Sequence, residues 1–230
     1  MVDILITDKE INNDLKTMST ATQTIPIFYS FRRCPYAMRA RLSLVISKTK
    51  VQIREISLKE KPKEFLDSSL SATVPCLVTK NKIIDESLDI MIWALKFNDP
   101  KNWLNMPKLG YDLIKENDGS FKYYLDLTKY HSKYPAIDPK KSRKKASEFL
   151  IKLESIMVGN FLFGFSPTLA DMAILPFIRQ FANTDIEWFN KQEWPSVKKW
   201  LHQFINSEIF KSIQIKYNQW DIKSEPQFFP

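Results

Sequence analysis

The chain has 230 residues, of which 44% are hydrophobic and 13% aromatic, enough to bury one substantial core or two smaller ones. Its formal net charge of +8 comes from dispersed lysines and arginines with no nucleic-acid-reading motif among them, so an anionic small molecule is a simpler partner than nucleic acid. Two cysteines, four glycines and two histidines exclude a disulfide framework, a four-cysteine zinc site and a phosphate-cradling glycine loop, and leave His131 and His202 without partners at metal-ligand spacing.

Residues 1–23 are polar and read as an N-terminal extension, either a disordered tail or a short extra helix. The start, Met1-Val2-Asp3-Ile4, lacks the basic region of a signal peptide, and no apolar stretch reaches the length of a membrane span. A cytoplasmic protein with reduced thiols and no membrane partner is therefore expected. The apolar segment from Ile25 to Tyr29 then reads as a strand that gives way to Phe31-Arg32-Arg33-Cys34-Pro35-Tyr36. Pro35 suits the first position of a helix, where its missing N–H is no loss, and this puts Cys34 at or beside the N-cap. There the free backbone N–H groups, the helix dipole and the charges of Arg32 and Arg33 favour a thiolate. A pKa lowered from about 8.5 to roughly 3.5–7.5 is the expectation for such a setting. A buried packing cysteine is the alternative. Ala37 fills the second position of a Cys-x-x-Cys motif, so a disulfide formed at Cys34 must be resolved by an external thiol.

Three further segments follow: Val51-Gln52-Ile53-Arg54-Glu55-Ile56-Ser57-Leu58-Lys59-Glu60-Lys61-Pro62, Ala72-Thr73-Val74-Pro75-Cys76-Leu77-Val78, and Ile83-Ile84-Asp85-Glu86-Ser87-Leu88-Asp89-Ile90. A cis bond at Val74-Pro75 would turn the chain and leave the Val74 N–H and C=O free for a ligand. On the residues alone, a trans proline opening a strand accounts for it equally. Cys76 reads as a buried strand residue. Glu86 and Ser87 fall at a helix start, where a hydroxyl and free N–H groups can hold a carboxylate; capping alone would also explain them.

Strand-like runs stop near Phe97, and Asn98-Asp99-Pro100 reads as a linker into helical periodicity. Asp138 and Pro139 suit the N-cap and first position of a helix whose apolar face runs through Ala146, Phe149, Leu150 and Leu153. The basic run from Lys140 to Lys145 opposes that helix's dipole and reads as a solvated face. In Ser166-Pro167-Thr168-Leu169-Ala170-Asp171, Thr168 and Asp171 have the spacing of a capping box before a long apolar helix, which Pro176 should bend.

Taken together, from about Ile25 to about Trp220, these segments resemble the glutathione transferase superfamily, specifically its cysteine-type members such as the omega class. The resemblance implies an α/β plus all-α chain: a thioredoxin-like domain at 24–98 with a mixed four-stranded sheet, and an all-helical domain at 101–230. It implies glutathione as co-substrate, Cys34 as the catalytic thiol, and a glutathione site made by Lys59 (with Lys61 as a rival), Val74, a cis Pro75, Glu86 and Ser87. Glu86 and Ser87 would take the γ-glutamyl end. Thr168 and Asp171 would be structural, no metal is implied, and a homodimer is expected. With cysteine at this position, thiol transfer and dehydroascorbate-like reduction are favoured over conjugation, against an acceptor that is an unidentified small-molecule or protein disulfide. Phe121 and Tyr124 are candidates for the acceptor pocket, although an ordinary helix core accounts for them as well. A non-catalytic binding or scaffold protein on the same fold, and a cysteine-based peroxidase, are the alternatives.

Overall fold

The computed structural model describes residues 25–230, so the extension read at residues 1–23 lies outside the described residues. Strand β1 (Ile27–Ser30) leads into α1 (Pro35–Ser47). Pro35 starts that helix, and Lys48 ends it in the left-handed region, its N–H returning to the carbonyls of Leu44 and Val45. Next come β2 (Val51–Glu55), α2 (Lys63–Ser68), β3 (Cys76–Val78), β4 (Ile83–Ile84) and α3 (Ser87–Phe97). β1 pairs in parallel with β2 and antiparallel with β3, and β3 pairs antiparallel with β4. This is the mixed four-stranded thioredoxin-like sheet.

A fifth strand corrects that expectation. β5 (Gln227–Phe229), at the far end of the chain, pairs antiparallel with β2 in the register Val51↔Phe229, giving the order β4-β3-β1-β2-β5. The last residues of the expected helical domain therefore return to the first domain. Without them β2 would present a row of unpaired N–H and C=O groups. Phe229 is 1% exposed, and the buried Arg41 guanidinium lies 5.8 Å from its ring and 6.0 Å from that of Tyr217. Arg41 also bonds Glu55 and Ser30 and donates to the Ile213 carbonyl, tying the C-terminal segment to α1 and β2.

The linker is fixed as well. The Asp99 carboxylate accepts from the N–H groups of Trp103 and Leu104 at 2.9 and 2.8 Å, and the Asn98 amide donates to the Ser47 carbonyl. The helical half comprises α4 (Lys108–Glu116), a π-helical turn at Asn117–Phe121, α5 (Lys122–Lys129), α6 (Pro139–Ile156), α7 (Leu169–Ala182), α8 (Ile186–Asn190), α9 (Pro195–Asn206) and α10 (Glu208–Ile213). Asp138 caps α6 through the Lys140 N–H. α7 is central: every residue in it except Arg179 and Gln180 is buried, and Asp171 closes its capping box. The Asp171 carboxylate accepts from the Thr168 N–H and hydroxyl and from the Leu162 N–H at 2.7–2.9 Å. One continuous core runs from the α1 and α3 face of the sheet into the helical half, while Tyr29, Ile56, Phe65, Val74, Cys76 and Trp220 form a second cluster on the opposite face. No helix among the described residues is long and apolar enough to cross a membrane.

Candidate functional site

Cys34 is the N-cap residue of α1, with extended backbone and no side-chain capping bond. Its half-buried thiol donates to the Val74 carbonyl at 3.6 Å. The Val74-Pro75 bond is cis, and the Val74 N–H has no partner among the described residues. The helix start and the turn before β3 thus meet at one sulfur, forty residues apart in the chain.

The charge environment differs from the expectation. Burial pushes the Cys34 thiol above its ordinary range, against the backbone N–H groups of Ala37 and Tyr36 and the charges of Lys122 and Arg39, which pull it down. The bond to Val74 is available only to the protonated form and acts in the same direction as burial. A thiol lowered by Arg32 and Arg33 is therefore not what the site holds. Arg33 lies over the Phe31 ring at 5.1 Å, and Arg32 lines a cavity together with Pro35 and Met38. The cations that do act on Cys34 come from inside α1 and from α5.

Those two cations belong to a network that the sequence did not advertise. Arg39, 1% exposed, makes a two-bond pair with Asp118 at 2.8 Å each and donates from Nε to the Ser87 hydroxyl at 3.0 Å. Asp118 sits in the π-helical turn, the kind of helix irregularity that often marks a functional site. Lys122 begins the next helical stretch, pairs with Asp126 and lies 5.8 Å from the Tyr36 ring. Tyr36 packs edge-on against Phe177 with ring centroids 4.7 Å apart. Burial, then the neighbouring Asp118 carboxylate, push its hydroxyl up to about 12.

The remaining expected site residues are distributed as follows. Glu86, not Ser87, is the N-cap of α3, with no side-chain capping bond; Ser87 opens the helix and is 2% exposed, held by Arg39. Capping therefore does not account for this pair, and the uncapped helix start keeps its N–H groups for an anion. Lys59 is exposed in the loop after β2 and has no ion pair among the described residues, whereas Lys61 donates to the Ala72 carbonyl at 2.9 Å. Cys76 is fully buried in β3, where burial and the Asp85 carboxylate push its thiol up. Phe121, 1% exposed, stacks against Phe149 and Phe181 in the core, so it offers no surface to an acceptor. Tyr124 is also outside the cavity beside Cys34: it packs against the core and Tyr123. That cavity, ≈ 540 Å³, is walled instead by Arg32, Arg33, Pro35 and Met38 on one side and by α5 and α7 residues on the other.

Comparison with known proteins agrees with this fold. Residues 28–101 match the model of the glutathione S-transferase N-terminal domain, and residues 113–208 match that of the C-terminal domain. Glutathione transferase omega-1 of Caenorhabditis elegans is 21% identical over 203 residues, covering 80% of this chain and 79% of the relative. Among solved structures, a family member from Pseudomonas fluorescens with two glutathione bound has a TM-score of 0.73 at 15% identity, covering 87% of this chain and 97% of the other. The tau class enzyme of mango, Mangifera indica, has a TM-score of 0.71 at 20% identity over 85% and 94% of the two chains. Omega 3C from Trametes versicolor has 0.71 at 15% identity over 90% and 96%.

Proposed function

The chain belongs to the glutathione transferase superfamily, and from that premise we propose that it is a cysteine-type member, a glutathione-dependent thiol transferase whose nucleophile is Cys34. The observation that carries this reading is the single sulfur at an uncapped helix start, with the Tyr36 and Ala37 N–H groups acting on it and the Val74 carbonyl at 3.6 Å. Glutathione is the co-substrate. Its backbone pairs with Val74 ahead of the cis Pro75, and its γ-glutamyl carboxylate meets the start of α3 at Glu86 and Ser87, with Lys59 free to close on it. Cys34 attacks the glutathione sulfur of a mixed disulfide. The Cys34–glutathione disulfide forms, the original S–S bond breaks, and the departing thiolate takes a proton from water. Cys34 is regenerated when the thiolate of a second glutathione attacks that bond, so one glutathione disulfide and one thiol leave for each mixed disulfide and glutathione consumed. Reduction of a dehydroascorbate-like acceptor consumes two glutathiones: Cys34 and the first form their disulfide as the acceptor takes up two electrons and two protons, and the second attacks that disulfide, frees Cys34 and leaves as glutathione disulfide.

Because burial raises the thiol, Cys34 reacts through the small thiolate fraction that the N–H groups and Lys122 sustain. This same observation favours a second reading, a non-catalytic glutathione-binding protein, for which an unreactive Cys34 suffices. One experiment separates them: alkylation of Cys34 as a function of pH in Cys76→Ala protein, with and without glutathione, beside turnover of a glutathione mixed disulfide. Protection by glutathione, with turnover that Cys34→Ser abolishes, supports the transferase. Binding of glutathione with no turnover points to the scaffold, and neither binding nor turnover refutes both. The transferase reading also makes the protein a cytoplasmic homodimer. The exposed Leu66 and Leu70, on and after α2, are apolar surface available to a second copy, and sedimentation equilibrium should return twice the 27.1 kDa chain mass.

A further inference from the structure

The two residues of α7 that escape burial, Arg179 and Gln180, both line the cavity walled by Pro35 and Met38, which lie in the first turns of α1 after Cys34. At ≈ 540 Å³ the cavity falls within the range of small-molecule sites, about 300–1,000 Å³. Its walls hold Arg32, Arg33, Lys129, Arg179 and His131, and no aspartate or glutamate. None of the four arginine and lysine side chains has a carboxylate partner among the described residues. Aromatic rings support them instead: Arg33 over Phe31 at 5.1 Å, Lys129 over Tyr130 at 4.8 Å and Arg179 over Phe210 at 5.3 Å. Glu55 accepts the backbone N–H of Arg32 at 2.5 Å but gives its other oxygen to Arg41, which leaves the Arg32 guanidinium unpaired.

Two further features belong to the same wall. The side-chain nitrogen of Gln214 and the side-chain oxygen of Gln180, both on the cavity wall, are buried without a hydrogen-bond partner. Burial and the like charge of Arg32 pull the Arg179 guanidinium down from its ordinary value, as expected when two half-buried cations share a space with no counter-charge. Like charges gathered this way raise the free energy of the empty site, and a bound anion lowers it.

We propose that this cavity selects an organic anion on the acceptor side of the reaction, with carboxylates of the departing thiol held by Arg32 and Arg179. This rests on the reading of Cys34 as a thiol-transferase nucleophile. As the S–S bond breaks, the departing thiolate takes its proton from water, and its carboxylates stay with the cavity cations.

The test compares three glutathione mixed disulfides at low ionic strength: one with mercaptosuccinate, one with 2-mercaptoethanol and one with cysteamine. The wild-type protein should favour mercaptosuccinate over mercaptoethanol by about tenfold or more in kcat/KM, the lower end of what one charge-assisted contact contributes, with cysteamine the poorest. Arg179→Gln and, independently, Arg32→Gln on the loop should each collapse that ratio through the KM of the anionic substrate, while Arg179→Lys retains part of it. A wild-type ratio near one, or variants that slow all three substrates in proportion, would overturn the proposal. If no mixed disulfide is turned over, the transferase reading has failed, and calorimetric titration with (methylthio)succinate decides the cavity separately. Binding that the Arg32→Gln/Arg179→Gln pair removes supports an anion site, and no binding to the wild type overturns it.

Discussion

Replacing Asp118 by alanine removes the carboxylate that pairs with the guanidinium of Arg39. Arg39 is 1% exposed and Asp118 29%. Breaking a fully buried pair from one side costs about 3–5 kcal/mol, and an exposed pair contributes about 0–1 kcal/mol. With the arginine buried, the carboxylate partly solvated and the Nε bond to Ser87 retained, a loss of about 2 kcal/mol follows. For a urea slope of about 2.5 kcal/mol per molar, the unfolding midpoint should fall by roughly 0.8 M. The perturbation also reaches the proposed glutathione site, because a guanidinium without its carboxylate, though still bonded to Ser87, holds that hydroxyl less rigidly at the start of α3. Glutathione affinity by calorimetry should weaken about fivefold, equivalent to about 1 kcal/mol. Asp118→Asn, which keeps an acceptor but loses the charge, should fall between alanine and wild type in both measurements. A midpoint shift below about 0.2 M together with an unaltered glutathione affinity would refute the view that this pair holds Ser87 in place.

Three other outcomes are expected. Phe229→Ala should cost about 3–4 kcal/mol in urea unfolding and, by loosening β5 from β2, should promote concentration-dependent association that light scattering detects; an unchanged midpoint would mean that the C-terminal strand contributes nothing to the sheet. Asp171→Ala leaves the Leu162 and Thr168 N–H groups buried without their acceptor, at about 1–3 kcal/mol each, so the variant should be severely destabilised in urea unfolding; a midpoint close to that of the wild type would contradict this. Tyr36, raised from 10.0 to about 12, keeps its proton in the folded state over a pH interval in which the unfolded chain has lost it. Its contribution to stability is therefore complete below pH 10.0 and declines as pH rises toward about 12, and the ultraviolet alkaline titration of wild type minus Tyr36→Phe should show one late-ionising phenol.

What could be read in advance, and what could not, divides by the range of the interaction. The Cys34-Pro35 helix start, the Asp138 cap and the Thr168–Asp171 box are local patterns a few residues long, and each appears where its spacing puts it. The sign of the Cys34 shift was not local. It depends on how deeply the sulfur is buried and on cations at Arg39 and Lys122, one of which comes from a helix almost ninety residues away in the chain, while the neighbouring Arg32 and Arg33 face elsewhere. β5 was equally hidden, since Gln227-Phe228-Phe229 is three residues long and is a strand only because the edge of β2 lies beside it. Phe121 was open between two readings for the same reason: an aromatic on a helix near the domain junction suits a pocket or a core, and only packing decides between them. The same reasoning explains why a thiol with an elevated pKa is compatible with the proposed chemistry. A nucleophile's reactivity falls as its pKa falls, so a site need not create a permanent thiolate; it needs donors ready for the moment of attack. Tyr36 N–H, Ala37 N–H and Lys122 are such donors, and because they reach Cys34 from two elements, α1 and α5, shifting α5 relative to α1 should move Cys34 reactivity without any change to the cysteine itself.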